Sequence, residues 1–199
     1  MHRDQFFQTL AGQPRPLAFR PEHEPRLGRL RTMLGDLRGK RIFEPGCGAG
    51  PLTERLADWT GPDGRILALD ACPGMVAQCR QAVAPHPHVH IRHGRAEDAQ
   101  LESAAWDLIL CFRLFPHLAD ADPFLHLCKT WLAPGGELVI ANLEGSAFLN
   151  ELHAARPGVH RDHMPSGAEL RRRLLADAWQ VADVLDEPDF FFLRARPLK

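Results

Sequence analysis

Between the apolar pair Ile42-Phe43 and the helix-forming run Pro51-Leu52-Thr53-Glu54-Arg55-Leu56-Ala57 lies the segment Glu44-Pro45-Gly46-Cys47-Gly48-Ala49-Gly50. A carboxylate at a strand end, then a glycine turn, then a helix start is an order that few folds use. Glycines at every second position remove Cβ atoms from one stretch of backbone, so a ligand can lie directly against peptide groups there. Pro51 suits the first turn of a helix, where its missing N–H costs nothing. The free N–H groups of that turn form an electropositive cradle for an anionic group. A carboxylate beside the cradle calls for a ligand that carries positive as well as negative charge.

Two common nucleotide motifs do not fit. A dinucleotide fingerprint needs glycine at i, i+2 and i+5, but counting from Gly46 the third position is Pro51, and from Gly48 it is Thr53. A phosphate-binding P-loop needs Gly-Lys-Ser or Gly-Lys-Thr, and the segment has neither. Farther on, Arg65-Ile66-Leu67-Ala68-Leu69-Asp70 reads as a second buried strand ending in an acid. A carboxylate at the C-terminal tip of a parallel strand can accept hydrogen bonds from both hydroxyls of a ribose.

The chain resembles the class I S-adenosylmethionine-dependent methyltransferases, whose first motif is a strand ending in an acid followed by x-G-x-G-x-G. The resemblance implies that Glu44, Gly46, Cys47, Gly48 and Gly50 wrap the amino-acid end of S-adenosylmethionine, with S-adenosylhomocysteine as product, and that Asp70 holds the ribose. Ala71 to Met75 follow the ribose acid, and the flexible, polarizable Met75 suits an adenine face. Relatives often read Gly-Asp-Ala-Glu where this chain has Gly94-Arg95-Ala96-Glu97, so adenine contact passes to the Ala96 backbone, Glu97 or Arg95. Cys111 and Phe112 end the fourth strand on the same rim.

Strand and helix patterns alternate at the spacing of βαβ units, which implies a mostly parallel sheet covered on both faces. Strands are predicted at 41–44, 65–70, 89–93, 107–112 and 137–142, the last after the turn Pro134-Gly135-Gly136. Two more, at 179–185 and 190–195, flank a turn over Asp186 to Asp189. The expected fold is α/β: a doubly wound, Rossmann-like, seven-stranded sheet, mostly parallel with an antiparallel C-terminal hairpin. Residues 1–39 read as an N-terminal extension of two helices, Arg3 to Ala11 and Glu22 to Leu37, separated by Pro14, Pro16 and Pro21. The resemblance makes that extension a partial lid; a helix packed permanently against the sheet edge is the other reading. Residues 40–199 read as the methyltransferase domain, with 143–165 as a substrate-side insertion.

Methyl transfer from a sulfonium has a good leaving group, so alignment of nucleophile and methyl dominates, and a base is needed only when the nucleophile arrives protonated. His117, in the segment after the fourth strand, and His153 are the candidate catalytic residues; Arg113, Glu144, Asn150, His160 and His163 are the candidate substrate contacts. His86, His88 and His90 alternate, but Pro85 and Pro87 break the strand and no Asp or Cys completes a metal set, so no metal is assigned. A catechol-type enzyme would need a metal-binding acid set that the sequence does not offer. The alternative function is a non-catalytic cofactor- or metal-binding protein on the same fold.

Composition narrows the partners. Twenty-four basic against 25 acidic residues give a net charge of −1 over 199 residues, with no footprint for DNA or a membrane surface. The N-terminal residues from Met1 lack a long apolar leader, and five cysteines without a Cys-x-x-Cys pair do not form a disulfide framework. A cytoplasmic monomer or homodimer acting on a small molecule is expected.

Overall fold

The computed structural model describes residues 3–198; Met1, His2 and Lys199, which belong to the two predicted segments, lie outside the described residues. Seven strands form one sheet in the order β3-β2-β1-β4-β5-β7-β6. They are β1 (Arg41–Pro45), β2 (Arg65–Asp70), β3 (Val89–His93), β4 (Trp106–Phe112), β5 (Leu132–Asn142), β6 (Trp179–Glu187) and β7 (Phe190–Pro197). The strands β3, β2, β1, β4 and β5 pair in parallel, and β7 pairs antiparallel with both β5 and β6. The helices are α1 (Arg3–Ala11), α2 (Glu24–Leu34), α3 (Pro51–Thr60), α4 (Pro73–Ala82), α5 (Ala121–Trp131), α6 (Ser146–Ala154) and α7 (Gly167–Ala176).

Because side chains alternate across a strand, neighbouring residues feed opposite cores. Phe43, Ile109, Leu138 and Ile140 pack with Phe124 and Trp131 of α5 and with Leu170 and Leu174 of α7. Ile42, Leu108, Leu110 and Val139 pack on the other side with Leu27, Leu30 and Leu34 of α2 and Leu52 and Leu56 of α3. Burial on both faces explains why these strands read as continuous apolar runs.

Three boundaries depart from expectation. The second N-terminal helix begins as a 3-10 turn over Pro21–His23 and stops at Leu34, where Gly35 takes a positive φ of 72°. The Pro134-Gly135-Gly136 turn sits inside β5 as a bulge: partners step from Trp106 to Leu108 on β4 while β5 steps from Leu132 to Glu137. In the C-terminal hairpin Asp186 and Glu187 are not turn residues but pair with Phe191 and Phe190, leaving Pro188-Asp189 as the turn. Asp186 can stay in the ladder because its carboxylate leaves the sheet to accept bonds from Ser146 N and Oγ and from Gly167 N, at the starts of α6 and α7.

Candidate active site

The topology puts the C-terminal ends of β1, β2 and β4 side by side, the crevice in which open α/β sheets bind ligands. Gly46, Gly48 and Gly50 have φ of 72°, 56° and 89°, a left-handed run that side chains resist. The loop is tied to β2: Gly46 N and Cys47 N donate to the Leu69 carbonyl at 2.7 and 3.0 Å, and Gly48 N donates to Asp70 Oδ2 at 2.8 Å. Asp70 Oδ1 accepts from Cys72 N at 2.8 Å. Each carboxylate oxygen keeps a second lone pair, so Asp70 is fixed in place and still able to accept from a diol. With these bonds made, the amides left without a partner among the described residues are those of Ala49, Leu52 and Thr53. The anion cradle therefore lies at the start of α3 and not along the whole glycine run.

Glu44 lies beneath the loop, 2% exposed, and its Oε2 has no hydrogen-bond partner among the described residues. Burial pushes its carboxyl up to about 8, against the bond from Thr53 and with help from the nearby Cys79 and Asp70. A buried, unpaired carboxyl oxygen beside free amides suits a ligand with an ammonium and a carboxylate. The glycine loop beside the cradle is covered by aliphatic tips: a Cβ on Gly46 would meet Leu114 Cδ1 at 2.7 Å, and one on Gly48 would meet Leu17 Cδ1 at 2.8 Å. Both are ends of flexible side chains that can withdraw. Two other concavities, of about 500 and 220 Å³, open along the β3 edge, lined by residues such as Arg80 and His90 or Arg95 and Leu101; neither includes the glycine loop.

The Glu44 carboxyl also yields a stability prediction. Its folded-state value lies above the ordinary 4.5, so between these two values the folded chain holds a proton that the unfolded chain has released. Stability therefore declines as pH rises through that window, by an amount on the order of a few kcal/mol. Glu44→Gln keeps the shape and removes the titration. Thermal midpoints from pH ~5 to pH ~8 should fall more steeply for the parent than for the variant; parallel slopes would contradict the assignment.

Several predicted contacts sit elsewhere than expected. Met75 is 1% exposed and packs with Ala11, Ala49 and Cys72, so it is core beneath α1 and not an open adenine face. Cys47 is turned inward onto Ala68 and Cys79, and the Cys111 side chain is wholly within the core, where burial raises its thiol pKa. Phe112 is buried and meets the Phe19 ring edge-on at 6.0 Å. Ala71 and Arg95 are exposed and Ala96 is buried, while Glu97 Oε1 accepts from Ala119 N at 2.7 Å. Asn150 spends both ends of its amide on Met164, donating to the carbonyl at 2.9 Å and accepting from the N–H at 2.8 Å. That makes it a loop clamp with one amide hydrogen and one lone pair left over, and His160 and His163 are exposed. Arg113, with a positive φ of 54°, donates to Glu144 at 2.9 Å, and Arg26 lies 3.9 Å from the same carboxylate.

A family model described as "Methyltransferase domain" matches residues 42–136. The fold is that of the class I methyltransferases. Among relatives, the chain is 28% identical over 189 residues to a "Ubiquinone biosynthesis O-methyltransferase" of Klebsiella pneumoniae subsp. pneumoniae, covering 90% of this chain and 77% of that one. It is 27% identical over 129 residues to the protein of the same description from Acinetobacter baylyi, covering 63% of this chain and 54% of the relative. The chain thus spans about half the length of the latter. In fold it is similar to the N-methyltransferase NodS from Bradyrhizobium japonicum WM9, solved in complex with S-adenosyl-l-homocysteine, with a TM-score of 0.75, 21% identity and 100% of both chains covered.

On the same rim of the sheet, the two catalytic candidates are neighbours: the rings of His117 and His153 are 5.0 Å apart between centroids. Asp162, from the polar stretch after α6, binds both. Its Oδ2 lies 2.6 Å from His117 Nδ1, and its backbone carbonyl accepts from His153 Nδ1 at 2.9 Å. Burial lowers the His153 pKa, and the neighbouring His117 adds to the effect, against the Asp162 carbonyl. Arg3 on α1 donates to Asp162 Oδ1 at 2.5 Å and to the His117 carbonyl at 2.8 Å. Asp162 lies in the substrate-side insertion read from the sequence, but its pairing with Arg3 escaped that reading because a contact across 159 residues leaves no local periodicity. Among the described residues no group of His, Cys, Asp and Glu is arranged to hold a metal ion, and no helix is long and apolar enough to cross a membrane.

Proposed function

We propose that this chain binds S-adenosylmethionine and transfers its methyl group to a nitrogen, oxygen or sulfur of a small molecule. The observation that carries the reading is the trio of Glu44, the glycine loop and Asp70, which matches the two ends of that cofactor in charge and hydrogen-bonding capacity. Asp70 would accept from the ribose hydroxyls. The amides of Ala49, Leu52 and Thr53 would face the carboxylate, and Glu44 the ammonium. Gly94 to Glu97 would border the adenine through backbone and the Glu97 carboxylate. When bound, the sulfonium supplies an electrophilic methyl with a neutral leaving group, so the protein's own task is to align the acceptor and exclude water.

The acceptor would enter on the side of His117, His153, Arg113 and Glu144. Helix α1 would roof the site: Phe7, Leu10 and Ala11 pack on Ala49, Cys72 and Met75, and Gln78 holds the Ala11 carbonyl at 2.7 Å. Because Leu17 crosses Gly48, cofactor entry would require the segment between α1 and α2 to lift. We read the protein as a cytoplasmic enzyme without a nucleic-acid partner.

Titration calorimetry with S-adenosylmethionine, S-adenosylhomocysteine, a nicotinamide dinucleotide and divalent metals tests the proposal. Saturable heat with the first two and none with the dinucleotide is the expected result. Metal binding with no cofactor binding would move the chain to the non-catalytic alternative.

A further inference from the structure

We propose that Asp162 is a positioning residue that sets His117 as a general base for an acceptor arriving as an alcoholic or phenolic hydroxyl, with Arg3 of α1 locking Asp162 for that task. The inference rests on the methyl-transfer reading and narrows it to oxygen.

Geometry fixes the proton. An ionised carboxylate only accepts, so at 2.6 Å from Asp162 Oδ2 the His117 Nδ1 must carry the hydrogen, and in the neutral imidazole this puts the lone pair on Nε2. Nε2 has no hydrogen-bond partner among the described residues. Ionisation of Asp162 is secure: burial alone would raise its pKa, but the bonds from His117 and Arg3 outweigh it and hold the carboxyl below its ordinary value. The Asp162 side chain is 2% exposed, so removing Arg3 would leave a buried charge with one partner. Three segments far apart in sequence thus converge on one imidazole: the lid helix, the turn after β4 and the loop after α6.

The imidazole also stands at the right place. His117 N donates to the Leu114 carbonyl at 2.7 Å, and Leu114 is the residue whose side chain rests against Gly46, so base and glycine loop share one turn. The groups facing His117 are Asp162, Arg3, His153 and the Phe7 ring, whose centroid is 5.2 Å away. Arg156 acts on His153 and Arg113 through charge. Arg3 and Asp162 offset each other, and the single Glu144 carboxylate faces both Arg113 and Arg26, so the surplus charge on the acceptor side is positive and disfavours an alkylammonium acceptor. A thiol ionises near neutrality without help, whereas a hydroxyl holds its proton to about pH 10 or above and must lose it during transfer. In the step the acceptor O–H proton passes to Nε2, the oxygen pair forms the bond to the methyl carbon, and the C–S pair leaves with sulfur as a neutral thioether. Asp162 then balances the imidazolium.

The test uses the full chain with histidine labelled in nitrogen-15. Without any ligand, long-range correlation spectra should show His117 as the Nδ1–H tautomer. Asp162→Asn can donate its amide to Nδ1 and drive the hydrogen to Nε2, and turnover of a phenol panel should then fall about 10²- to 10⁴-fold with cofactor affinity by calorimetry unchanged. His117→Gln should show the same loss and provides the second variant if Asp162→Asn does not fold. Parallel panels of primary amines and thiols complete the assay. An Nε2–H tautomer in the parent chain, full phenol turnover by either variant, or methylation of amines with phenols inert overturns the inference. Absence of S-adenosylmethionine binding would instead overturn the proposed function, and the tautomer measurement keeps the two failures apart.

Discussion

Asp70→Ala should weaken S-adenosylmethionine binding by about 2–3 kcal/mol, a loss of roughly 30- to 150-fold in affinity. Hydrogen bonds to a charged acceptor are the strong ones, and the carboxylate would make two with the ribose. The structure adds a second cost: Asp70 also holds Gly48 N and Cys72 N, each at 2.8 Å. Alanine leaves both amides without their acceptor and frees the glycine loop to sample conformations that no longer face the ligand. Asp70→Asn separates the contributions, because its single carbonyl can still accept from one amide but not hold both. Calorimetry should therefore rank the affinities parent, then Asn, then Ala. Equal affinity for all three would place the ribose elsewhere.

The parts of this site that the sequence disclosed are those that chain geometry dictates locally. Glycines at positions 46, 48 and 50 are needed because the backbone there has positive φ, and an acid at the end of an apolar run sits at a strand tip whatever surrounds it. The buried strands betrayed themselves by apolar residues on both faces, and Ser166 caps α7 through reciprocal bonds with Glu169. Side-chain direction was harder. Cys47, Met75 and Cys111 face the core, since position on a rim does not decide which way a residue points when the backbone turns.

The polar stretch after β5 shows the same limit. Read as a substrate-side insertion, it offered His160 and His163 as contacts, yet both are exposed while Asp162 between them is buried. What selects Asp162 is a cation from α1 and an imidazole from the turn after β4, neither of which leaves a mark near residue 162 in the chain. Asn150 likewise looked available because its partner, the Met164 backbone, is a property of the folded loop and not of any spacing.

Gly145→Val should lower global stability by about 3 kcal/mol or more, a drop of about 6–12 °C in Tm for a chain of this size. The φ at Gly145 is −68°, so backbone freedom is not the reason for glycine here. The reason is contact: a Cβ would lie 2.0 Å from the Glu187 carbonyl oxygen and 2.8 Å from its carbon, and both atoms belong to the backbone of β6, which cannot rotate away. Gly145 N donates to the Pro188 carbonyl at 3.1 Å, and Asp186 binds the next residue, Ser146, through both backbone and hydroxyl. The start of α6 is thus pressed onto the hairpin turn. Pushing it off would also tilt His153 and, through it, the Asp162 loop, because His153 Nδ1 holds the Asp162 carbonyl. Gly145→Ala, with one carbon instead of three, should show a smaller shift of the same sign. Chemical denaturation of both variants checks the order; a valine variant as stable as the parent would mean that α6 can move without cost, and the placement of the His117 dyad would lose its support.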